Sequence, residues 1–436
     1  MSVSVRPTSL GAAFDLLAAY APPDGFFFEK DGLGVSTGSL GDALEVGPVP
    51  DLSALSRAVE VALREIADGG DVTPLAVGAL PFATAPASMW VPRRTVVRTD
   101  GGETWLLDLA GDGEAVPAFR PDRVIGELPH EAFRPVQLTE VPSAPVYAEG
   151  VRAAVNLIQA GEVEKVVLAR TLRVDAGREL DARRLLHRLR AVEPHCYAFA
   201  APTRQGPPSS VAGENTEVPA QSREPTRGDA RTRPLVGASP ELLVSRRGDR
   251  VRSMPLAGTA PRSGDPDADL ANAEALAASG KDREEHAIVV AAVADVLGGF
   301  CDDLTFDAAP VLEPTANVWH LATRFEGTLR DRSVTALDLV AELHPTPAVC
   351  GAPEMAARSC IALTEGFDRG VYAGPVGWVD ARGDGDWAIA LRCAALDGTR
   401  ATLYAGAGIV GGSDPASELD ETDRKFRAFL DSLRWG

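Results

Sequence analysis

The segment that most limits the fold spans residues 376–409 and reads VGWVDARGDGDWAIALRCAALDGTRATLYAGAGI. Its apolar, strand-like stretches alternate with short polar turns that contain glycine, which is the pattern of consecutive β-hairpins. Hairpin strands pair antiparallel. Elsewhere in the chain, strand-like runs and helical segments follow one another without a regular βαβ rhythm. The sequence therefore predicts an α+β fold.

Charge and cysteine content exclude several classes of function. The chain has 436 residues and a formal net charge of −19, which repels nucleic acid and anionic membranes. No run approaches the roughly 18 uninterrupted apolar residues of a membrane span, and the N-terminus does not read as a signal peptide. The five cysteines are odd in number and lack a Cys-x-x-Cys motif, which favours free thiols in a reducing cytoplasm. We expect a cytoplasmic monomer that binds neither nucleic acid nor membrane.

Helical apolar spacing and capping residues mark five segments. We predict helices over residues 52–66, 146–159, 268–279, 281–297 and 414–433. Asp414 is predicted to cap the last of them, with Pro415 in its first turn. The preceding run from Gly406 to Gly411 matches G-x-G-x-x-G. The dinucleotide interpretation fails, because it needs a second strand with an acid about 20 residues on. These glycines instead favour the approach of backbone amides to an anion.

Residues 203–233 are polar, rich in Pro, Ser, Glu and Arg, and nearly free of large apolar side chains. Such a segment cannot bury enough surface to offset its ordering entropy, so we predict a disordered insertion. It separates the apolar runs CYAFAA and PLVGASPELLVS, which we predict to be neighbouring strands of one hairpin. An insertion at a hairpin tip need not mark a domain boundary. We therefore predict one domain over residues 1–436.

Two cationic residues interrupt apolar strand-like runs. Lys165 shares one predicted strand face with Val163 and Val167. It is either an edge lysine that reaches solvent or a catalytic group. Arg392 lies in WAIALRCA, where it would share a face with small alanines, opposite the bulky side chains. It is either the floor of a pocket for a carboxylate or phosphate, or the partner of a neighbouring acid.

Four acidic residues lie on two predicted helices. Glu285 heads the apolar stripe of its helix, and Asp282 lies one turn earlier, where acids also favour the helix dipole. Glu418 and Glu421 share a face of the last helix, which by itself is typical of a solvated surface. Together with Glu285 they form a candidate oxygen-ligand set, and such hard donors suggest magnesium. Of the six histidines, none has metal-site spacing, and His320 in NVWHLATRFEG is the candidate for a site role.

These residues belong to motifs that resemble one known family. The motifs are collinear from about residue 146 to the C-terminus, whereas residues 1–135 match weakly, mainly through VGALPFA. They read VEKVVLAR, GASPELLVS, PLAGTAPR, SGKDREEHAIVV, NVWHLATRFEG, LHPTPAVCGAP, GVYAGPVGWVD, AIALRCA and AGAGIVGGSDPASELDETDRKF. The chain thus resembles the chorismate-utilising enzymes, which include isochorismate synthase, salicylate synthase, anthranilate synthase component I and aminodeoxychorismate synthase.

The resemblance implies one large domain, in which two packed, mostly antiparallel sheets are surrounded by helices and enclose the active site. It implies chorismate as the substrate and Mg²⁺ as the cofactor. The family's magnesium-binding acids map onto Glu285, Glu418 and Glu421, with Asp282 in an outer position. Its substrate-binding positions map onto Gly258, Thr259, His320, Ala348, Tyr372, Arg392, Gly406 and Gly408.

Three positions distinguish between members of the family. Lys165 stands where the ammonia-using members have glutamine, and a lysine suits the deprotonation of water. Ala257 stands where aminodeoxychorismate synthases have a nucleophilic lysine. Ala348 stands where salicylate- and anthranilate-forming members tend to have threonine, and alanine resembles the members that stop at isochorismate.

The resemblance therefore implies a Mg²⁺-dependent isochorismate synthase. Lys165 would act as general base on a water that attacks C2 of the ring, and Glu241 of SPELL would protonate the departing C4 hydroxyl. Burial disfavours the charged forms of both groups, which is the direction that a base and an acid need. The product would feed menaquinone, siderophore or salicylate biosynthesis. The alternatives are a salicylate synthase, which also eliminates pyruvate, and a non-catalytic chorismate-binding protein.

Overall fold

The structure is a computed structural model that describes residues 3–67, 73–111, 136–203 and 232–433. The strands within these ranges are, in chain order, β1 (Val3–Ser9), β2 (Gly25–Lys30), β3 (Leu33–Ser39), β4 (Leu44–Val49), β5 (Leu75–Ala79), β6 (Ala87–Val91), β7 (Arg94–Arg98), β8 (Thr104–Gly111), β9 (Gln137–Val141), β10 (Lys165–Asp175), β11 (Tyr197–Thr203), β12 (Arg233–Ser239), β13 (Leu242–Arg247), β14 (Arg250–Met254), β15 (Leu256–Pro261), β16 (Thr305–Phe306), β17 (Val311–Pro314), β18 (Val318–Ala322), β19 (Phe325–Thr328), β20 (Gly351–Ala352), β21 (Pro375–Asp380), β22 (Gly385–Ile389), β23 (Cys393–Asp397) and β24 (Arg400–Ile409). The helices are α1 (Leu52–Ile66), α2 (Ala144–Gln159), α3 (Ala182–Val192), α4 (Pro266–Ala278), α5 (Gly280–Phe300), α6 (Ala336–Leu343), α7 (Glu354–Thr364) and α8 (Pro415–Leu433), with a 3-10 helix at Leu16–Ala19.

The strands form three sheets. The larger, twelve-stranded sheet has the order β1-β8-β7-β3-β2-β11-β12-β23-β24-β10-β20, and β9 also pairs with β10. The second, nine-stranded sheet has the order β16-β19-β14-β13-β22-β21-β5-β6-β4, and β15-β18-β17 form a small third sheet. Strand pairs throughout the described ranges are antiparallel, for example β10 with β24 and β21 with β22. This confirms the predicted α+β class and its antiparallel sheets.

The main core lies between the two large sheets. Phe28 on β2 of the larger sheet and Trp387 on β22 of the second sheet belong to the same buried cluster. Helices α1 and α6 pack on the second sheet, and α3 and α8 pack on the larger one. A second buried cluster, which includes Leu186 and Phe429, fills the space between the larger sheet and its helices. The burial of both faces explains why the strands of the larger sheet contain apolar residues in succession rather than in strict alternation.

Most predicted elements are present with bounds that differ by a few residues. Helix α1 has the predicted bounds, whereas α5 extends three residues beyond the predicted end. The Oδ1 atom of Asp414 accepts a hydrogen bond from the Ser417 amide at 2.9 Å, so the predicted cap of α8 is confirmed. Strands β11 and β12 pair as the predicted hairpin. The ladder extends to Thr203 opposite Arg233, so the two end residues predicted for the insertion belong to the strands instead. The predicted insertion between them lies, at residues 204–231, outside the described residues.

The predicted continuous strand around Arg392 is wrong. Strand β22 ends at Ile389 in the second sheet, and β23 begins at Cys393 in the larger sheet. Arg392 lies in the connection between them and has a φ of 48°, in the left-handed region that non-glycine residues rarely adopt. The strand alternation therefore stops before it reaches Arg392, because the chain changes sheets there. Glu241 lies at a similar crossover, between β12 of the larger sheet and β13 of the second sheet.

A buried ion pair takes the place of a strand neighbour beside β10. On the side of β10 that faces away from β24, the strand pairs with β20 only at residues 165–166 and with β9 only from residue 171. In the gap, the Ala169 amide donates to Oε1 of Glu365 at 2.7 Å, and Nη2 of Arg369 donates to the Val167 carbonyl at 2.8 Å. Glu365 and Arg369 are themselves paired and almost fully buried. The pair therefore fixes the strand that begins with Lys165.

We predict that Glu365→Ala destabilises the protein by about 3–5 kcal/mol, because it leaves the Arg369 guanidinium buried without its counter-charge. Urea unfolding followed by circular dichroism measures the change. The matched control is Glu354→Ala, which removes the exposed partner of Arg358 on α7. That loss is expected to stay below about 1 kcal/mol. Equal effects of the two substitutions would contradict a structural role for the buried pair.

Candidate active site

A cleft of about 700 Å³ opens beside the two crossovers. Most of the predicted site residues line it, namely Glu241, Gly258, Thr259, Glu285, His320, Ala348, Tyr372, Arg392, Gly406, Gly408 and Glu421. Lys165, Asp282 and Glu418 lie directly behind these residues. The structure therefore brings together side chains that the sequence separates by more than 200 positions.

Lys165 is fully buried at the start of β10, so an edge lysine that reaches solvent is ruled out. Its Nζ atom lies 3.1 Å from Oε1 of Glu285 on α5. A Cβ atom at Gly408 would lie 2.0 Å from the same Oε1 atom and 3.2 Å from Cε of Lys165. Glycine at this position of β24 is therefore what allows the Lys165–Glu285 pair to lie against the strand.

Glu241 is buried at the crossover between β12 and β13. Burial raises the pKa of its carboxyl group to about 8, against the opposing influence of the Lys165 charge. The group is therefore protonated at neutral pH, and Lys165 is close enough to act on it electrostatically. A neutral carboxylic acid beside a buried lysine is an arrangement suited to proton transfer.

The remaining acids of the site each contact a lysine. Glu418 is buried and pairs with Lys281 on α5, and Glu421 pairs with Lys425 at 2.6 Å. Burial and the neighbouring Glu421 raise the pKa of Glu418. Although burial opposes ionisation of Glu421, the Lys425 ammonium lowers its pKa below the ordinary value. Neither glutamate lies on the solvated helix face that is typical of such a pair.

The acidic set has the chemistry that a divalent cation needs. Glu285, Glu418 and Glu421 supply the hard oxygen donors that Mg²⁺ prefers. Burial opposes the charge of Lys281, yet Glu418, Glu285 and Glu421 together raise its pKa, so one cation at this place is stabilised by all three. In the described ranges no three such side chains already lie in metal-binding geometry. A bound ion would therefore replace the lysine partners that the carboxylates have here.

Asp282 lies beside the glycine of the AGT motif. Gly258 has a φ of 76°, and a Cβ atom there would lie 3.0 Å from Cβ of Asp282. Asp282 therefore lies behind Gly258 and is not among the residues that line the cleft.

Cationic and aromatic groups form the opposite part of the cleft. Nη2 of Arg392 lies 2.7 Å from Nε2 of His320. Among the described residues Arg392 forms no ion pair within 4.0 Å, although its charge opposes the rise that burial causes in the pKa of the nearby Glu193. The alternative of a neighbouring acid is thus limited to an interaction at longer range. The Tyr372 ring stacks on Tyr404 with centroids 4.8 Å apart. A Cβ atom at Gly406 would lie 3.2 Å from the Tyr372 hydroxyl oxygen.

Sequence reasoning missed two cations and one aromatic residue that line the cleft: Lys425, Arg369 and Tyr404. Nζ of Lys425 donates to the Gly406 carbonyl at 2.9 Å as well as to Glu421. The spacing of Glu421 and Lys425, one helical turn apart, was the available signal. Arg369 likewise follows Glu365 by four positions. Tyr404 gave no signal, because a tyrosine within an apolar strand is ordinary.

All five cysteines are buried and free, as predicted. No described helix combines the length and the apolar character that crossing a membrane requires.

Comparison with known proteins agrees with this geometry. Residues 82–431 match the family described as chorismate binding enzymes. The isochorismate synthase DhbC of Bacillus subtilis is 39% identical over 382 residues, which cover 88% of this chain and 86% of that protein. The isochorismate synthase EntC of Escherichia coli K12 is 33% identical over 428 residues, which cover 97% of this chain and 98% of that protein.

A solved structure of a proposed 2,3-dihydroxybenzoate-specific isochorismate synthase from Bacillus anthracis superimposes with a TM-score of 0.79. It is 33% identical, and the match covers 97% of this chain and 99% of that one. The chain belongs to the chorismate binding enzyme family, which confirms the resemblance seen in its motifs.

We predict that Gly408→Ala disrupts the site, because its Cβ atom would displace the Glu285 carboxylate. Chorismate binding, measured by calorimetry in the presence of Mg²⁺, is expected to weaken by at least about 10-fold. The control is Gly412→Ala in the nearby turn, where an added Cβ atom meets nothing within 4 Å. If Gly408→Ala binds chorismate as the control does, the close approach of Glu285 to β24 has no functional meaning.

Proposed function

We propose that the protein is an isochorismate synthase, which converts chorismate to isochorismate with Mg²⁺ as cofactor. The observation that carries the proposal is the meeting of a neutral carboxylic acid, Glu241, and a buried lysine, Lys165, at one cleft that also presents cations. Chorismate carries two carboxylates, and the chain has a net charge of −19, so local cations are needed to bind it. Arg392 and Lys425 supply them.

In the proposed reaction Lys165 first releases to solvent the proton of the ammonium form that pairs with Glu285. It then takes a proton from water as the water oxygen bonds to C2. Both ring double bonds shift by one position, the C4–O bond breaks, and Glu241 gives its proton to the leaving hydroxyl, which departs as water. One water enters and one leaves, so the reaction is an isomerisation. Exchange of protons with solvent then restores Lys165 and Glu241. Each proton transfer contributes roughly 10²–10⁴-fold to the rate.

Glu285, Glu418 and Glu421 would hold Mg²⁺ in this proposal. The bound ion supplies positive charge that offsets the three carboxylates and attracts a carboxylate of the substrate. The chain's own contribution is to keep these acids close together, since Glu418 and Glu421 are one turn apart on α8 and both act on Lys281 of α5. Ala348 lines the cleft where a threonine is typical of pyruvate-eliminating relatives, which favours a reaction that stops at isochorismate.

Product analysis tests the function. Purified enzyme incubated with chorismate and Mg²⁺ is expected to form isochorismate without pyruvate or salicylate. Chromatography separates and quantifies the products, and fluorescence detects any salicylate. Lys165→Ala should abolish turnover, and Lys165→Gln, which keeps a hydrogen-bond donor for Glu285, should do so with chorismate binding largely intact. Formation of salicylate with pyruvate would instead identify a salicylate synthase. Binding of chorismate and Mg²⁺ without turnover would identify a non-catalytic binding protein.

The raised pKa of Glu241 predicts the direction of the pH dependence. The acid works in its protonated form, which is present below its pKa of about 8 and is lost as the pH rises through that value. We expect kcat/KM to fall on the alkaline side with this apparent pKa. Glu241→Gln, which has no proton to give, should lose roughly 10²–10⁴-fold in kcat. A wild-type rate that stays constant from pH 7 to pH 10 would contradict Glu241 as the acid.

The metal assignment predicts that Glu421→Gln raises the Mg²⁺ concentration needed for half-maximal activity by roughly 10- to 100-fold. Chorismate binding should weaken as well, because the ion and the substrate carboxylate attract each other. The control is Glu284→Gln, an exposed glutamate adjacent to Glu285 on α5. Coincident Mg²⁺ titrations for the wild type and Glu421→Gln, or full wild-type activity in excess EDTA, would exclude the metal site.

A further inference from the structure

The hydrogen bonds of His320 fix which of its ring nitrogens carries the proton. Nε2 lies 2.7 Å from Nη2 of Arg392, and a guanidinium group only donates hydrogen bonds. Nε2 is therefore the unprotonated, accepting nitrogen. The ring proton must be on Nδ1, which lies 3.1 Å from the Gly258 carbonyl oxygen, an acceptor. The two contacts agree on one neutral tautomer.

His320 stays neutral over the working pH range. Burial, followed by the charges of Arg392 and Lys425, holds its pKa well below the ordinary value. With Nδ1 donating to Gly258 and Nε2 accepting from Arg392, both nitrogens are engaged by the protein. Neither is left to exchange a proton with a substrate in the cleft. A histidine in an active site is commonly an acid or base, but the contacts of His320 leave no nitrogen for that role.

The conformation of Arg392, in contrast, depends on contacts with neighbouring residues. Its backbone has a φ of 48° in the crossover between the two large sheets, a conformation that persists only where surrounding contacts enforce it. Within the described part of the chain no ion pair within 4.0 Å orients its guanidinium, and Glu193 acts on it only from a longer distance. His320 on β18 supplies a short hydrogen bond to that group, and Nδ1 of His320 is in turn bonded to Gly258 of the AGT motif within β15. The chain Gly258–His320–Arg392 thus connects the small sheet to the crossover.

We propose that His320 is a positioning residue, which holds the Arg392 guanidinium in the direction that binds a substrate carboxylate and takes no part in proton transfer. This inference rests on the proposed function only in that the carboxylate belongs to chorismate. It explains why a histidine lies in the cleft although the proposed reaction needs no proton transfer from it.

A double-mutant cycle tests the proposal, with chorismate binding measured by calorimetry in a Glu241→Gln background, which slows turnover and keeps a neutral side chain of the same shape. Arg392→Ala is expected to weaken binding roughly 10- to 100-fold, as for the loss of a hydrogen bond to a charged group. His320→Ala should weaken it about 10-fold, and the double substitution no more than Arg392→Ala alone. Losses that multiply would overturn the proposal, because they show that His320 acts independently of Arg392.

Two substitutions at His320 sharpen the test. The side-chain oxygen of Gln reaches the place of Nε2 and can accept from Arg392, whereas the shorter Asn cannot. His320→Gln should therefore bind chorismate as the wild type does, whereas His320→Asn should bind it as weakly as His320→Ala. In an otherwise unchanged enzyme, His320→Gln should also keep the wild-type pH profile of kcat/KM. Equal defects in the two variants, or the loss of a limb of the pH profile in His320→Gln, would overturn the proposal.

A spectroscopic measurement on the unmodified protein does not depend on the folding of any variant. In protein labelled with ¹⁵N-histidine, the His320 signals, identified by their absence in His320→Gln, should report a protonated Nδ1 and an unprotonated Nε2 between pH 6 and 9. A protonated Nε2, or a titration within that range, would overturn the proposal. If chorismate fails to bind even when His320 and Arg392 are intact, the proposed function fails, and the tautomer measurement still decides the positioning role.

Discussion

Lys165 can be buried at the start of β10 because the Glu285 carboxylate lies 3.1 Å from its ammonium group. Neither charge is stable in that position alone, since an unpaired buried ion costs several kcal/mol. The pair places further demands on its surroundings. Gly408 must lack a side chain so that the carboxylate approaches β24, and the Glu365–Arg369 pair must fix the part of β10 that has no strand neighbour. Much of the local sequence around the cleft follows from one buried lysine.

The fold makes these demands compatible by changing sheets at the cleft. The connections that contain Glu241 and Arg392 both run between the larger sheet and the second sheet. At such a crossover the backbone leaves the strand ladder, so a side chain can point into the space between the sheets without interrupting the ladder. A crossover also tolerates the left-handed conformation of Arg392, which a strand would not. The sheets provide the rigid frame. The groups proposed for acid catalysis and for carboxylate binding lie in the two crossovers between the sheets.

Local pattern was enough to predict the antiparallel hairpins, the bounds of α1 and the cap of α8, because each depends on residues adjacent in the chain. Lys165, Arg392 and the four acids attracted attention through their local patterns, but their roles and the remaining site residues came from motifs of the family. The break at Arg392 was not predictable from alternation, since WAIALRCA keeps a strand-like pattern through the point where the chain changes sheets. The pairing of Lys281 with Glu418, and of Lys165 with Glu285, joins residues more than 100 positions apart. Such contacts depend on the packing of α5, α8 and β10, which no local pattern specifies.

Glu241 and Glu421 show how one cleft keeps two carboxyl groups in opposite states. Burial opposes the ionisation of both. Glu421 has the Lys425 ammonium 2.6 Å away, and its pKa is lowered. Glu241 has no ammonium within ion-pair distance among the described residues, and its pKa rises to about 8. The position of a lysine one helical turn away thus decides the difference. The two states that the proposed reaction needs, a carboxylic acid that gives up a proton and a carboxylate that binds a cation, are therefore compatible within a single buried site.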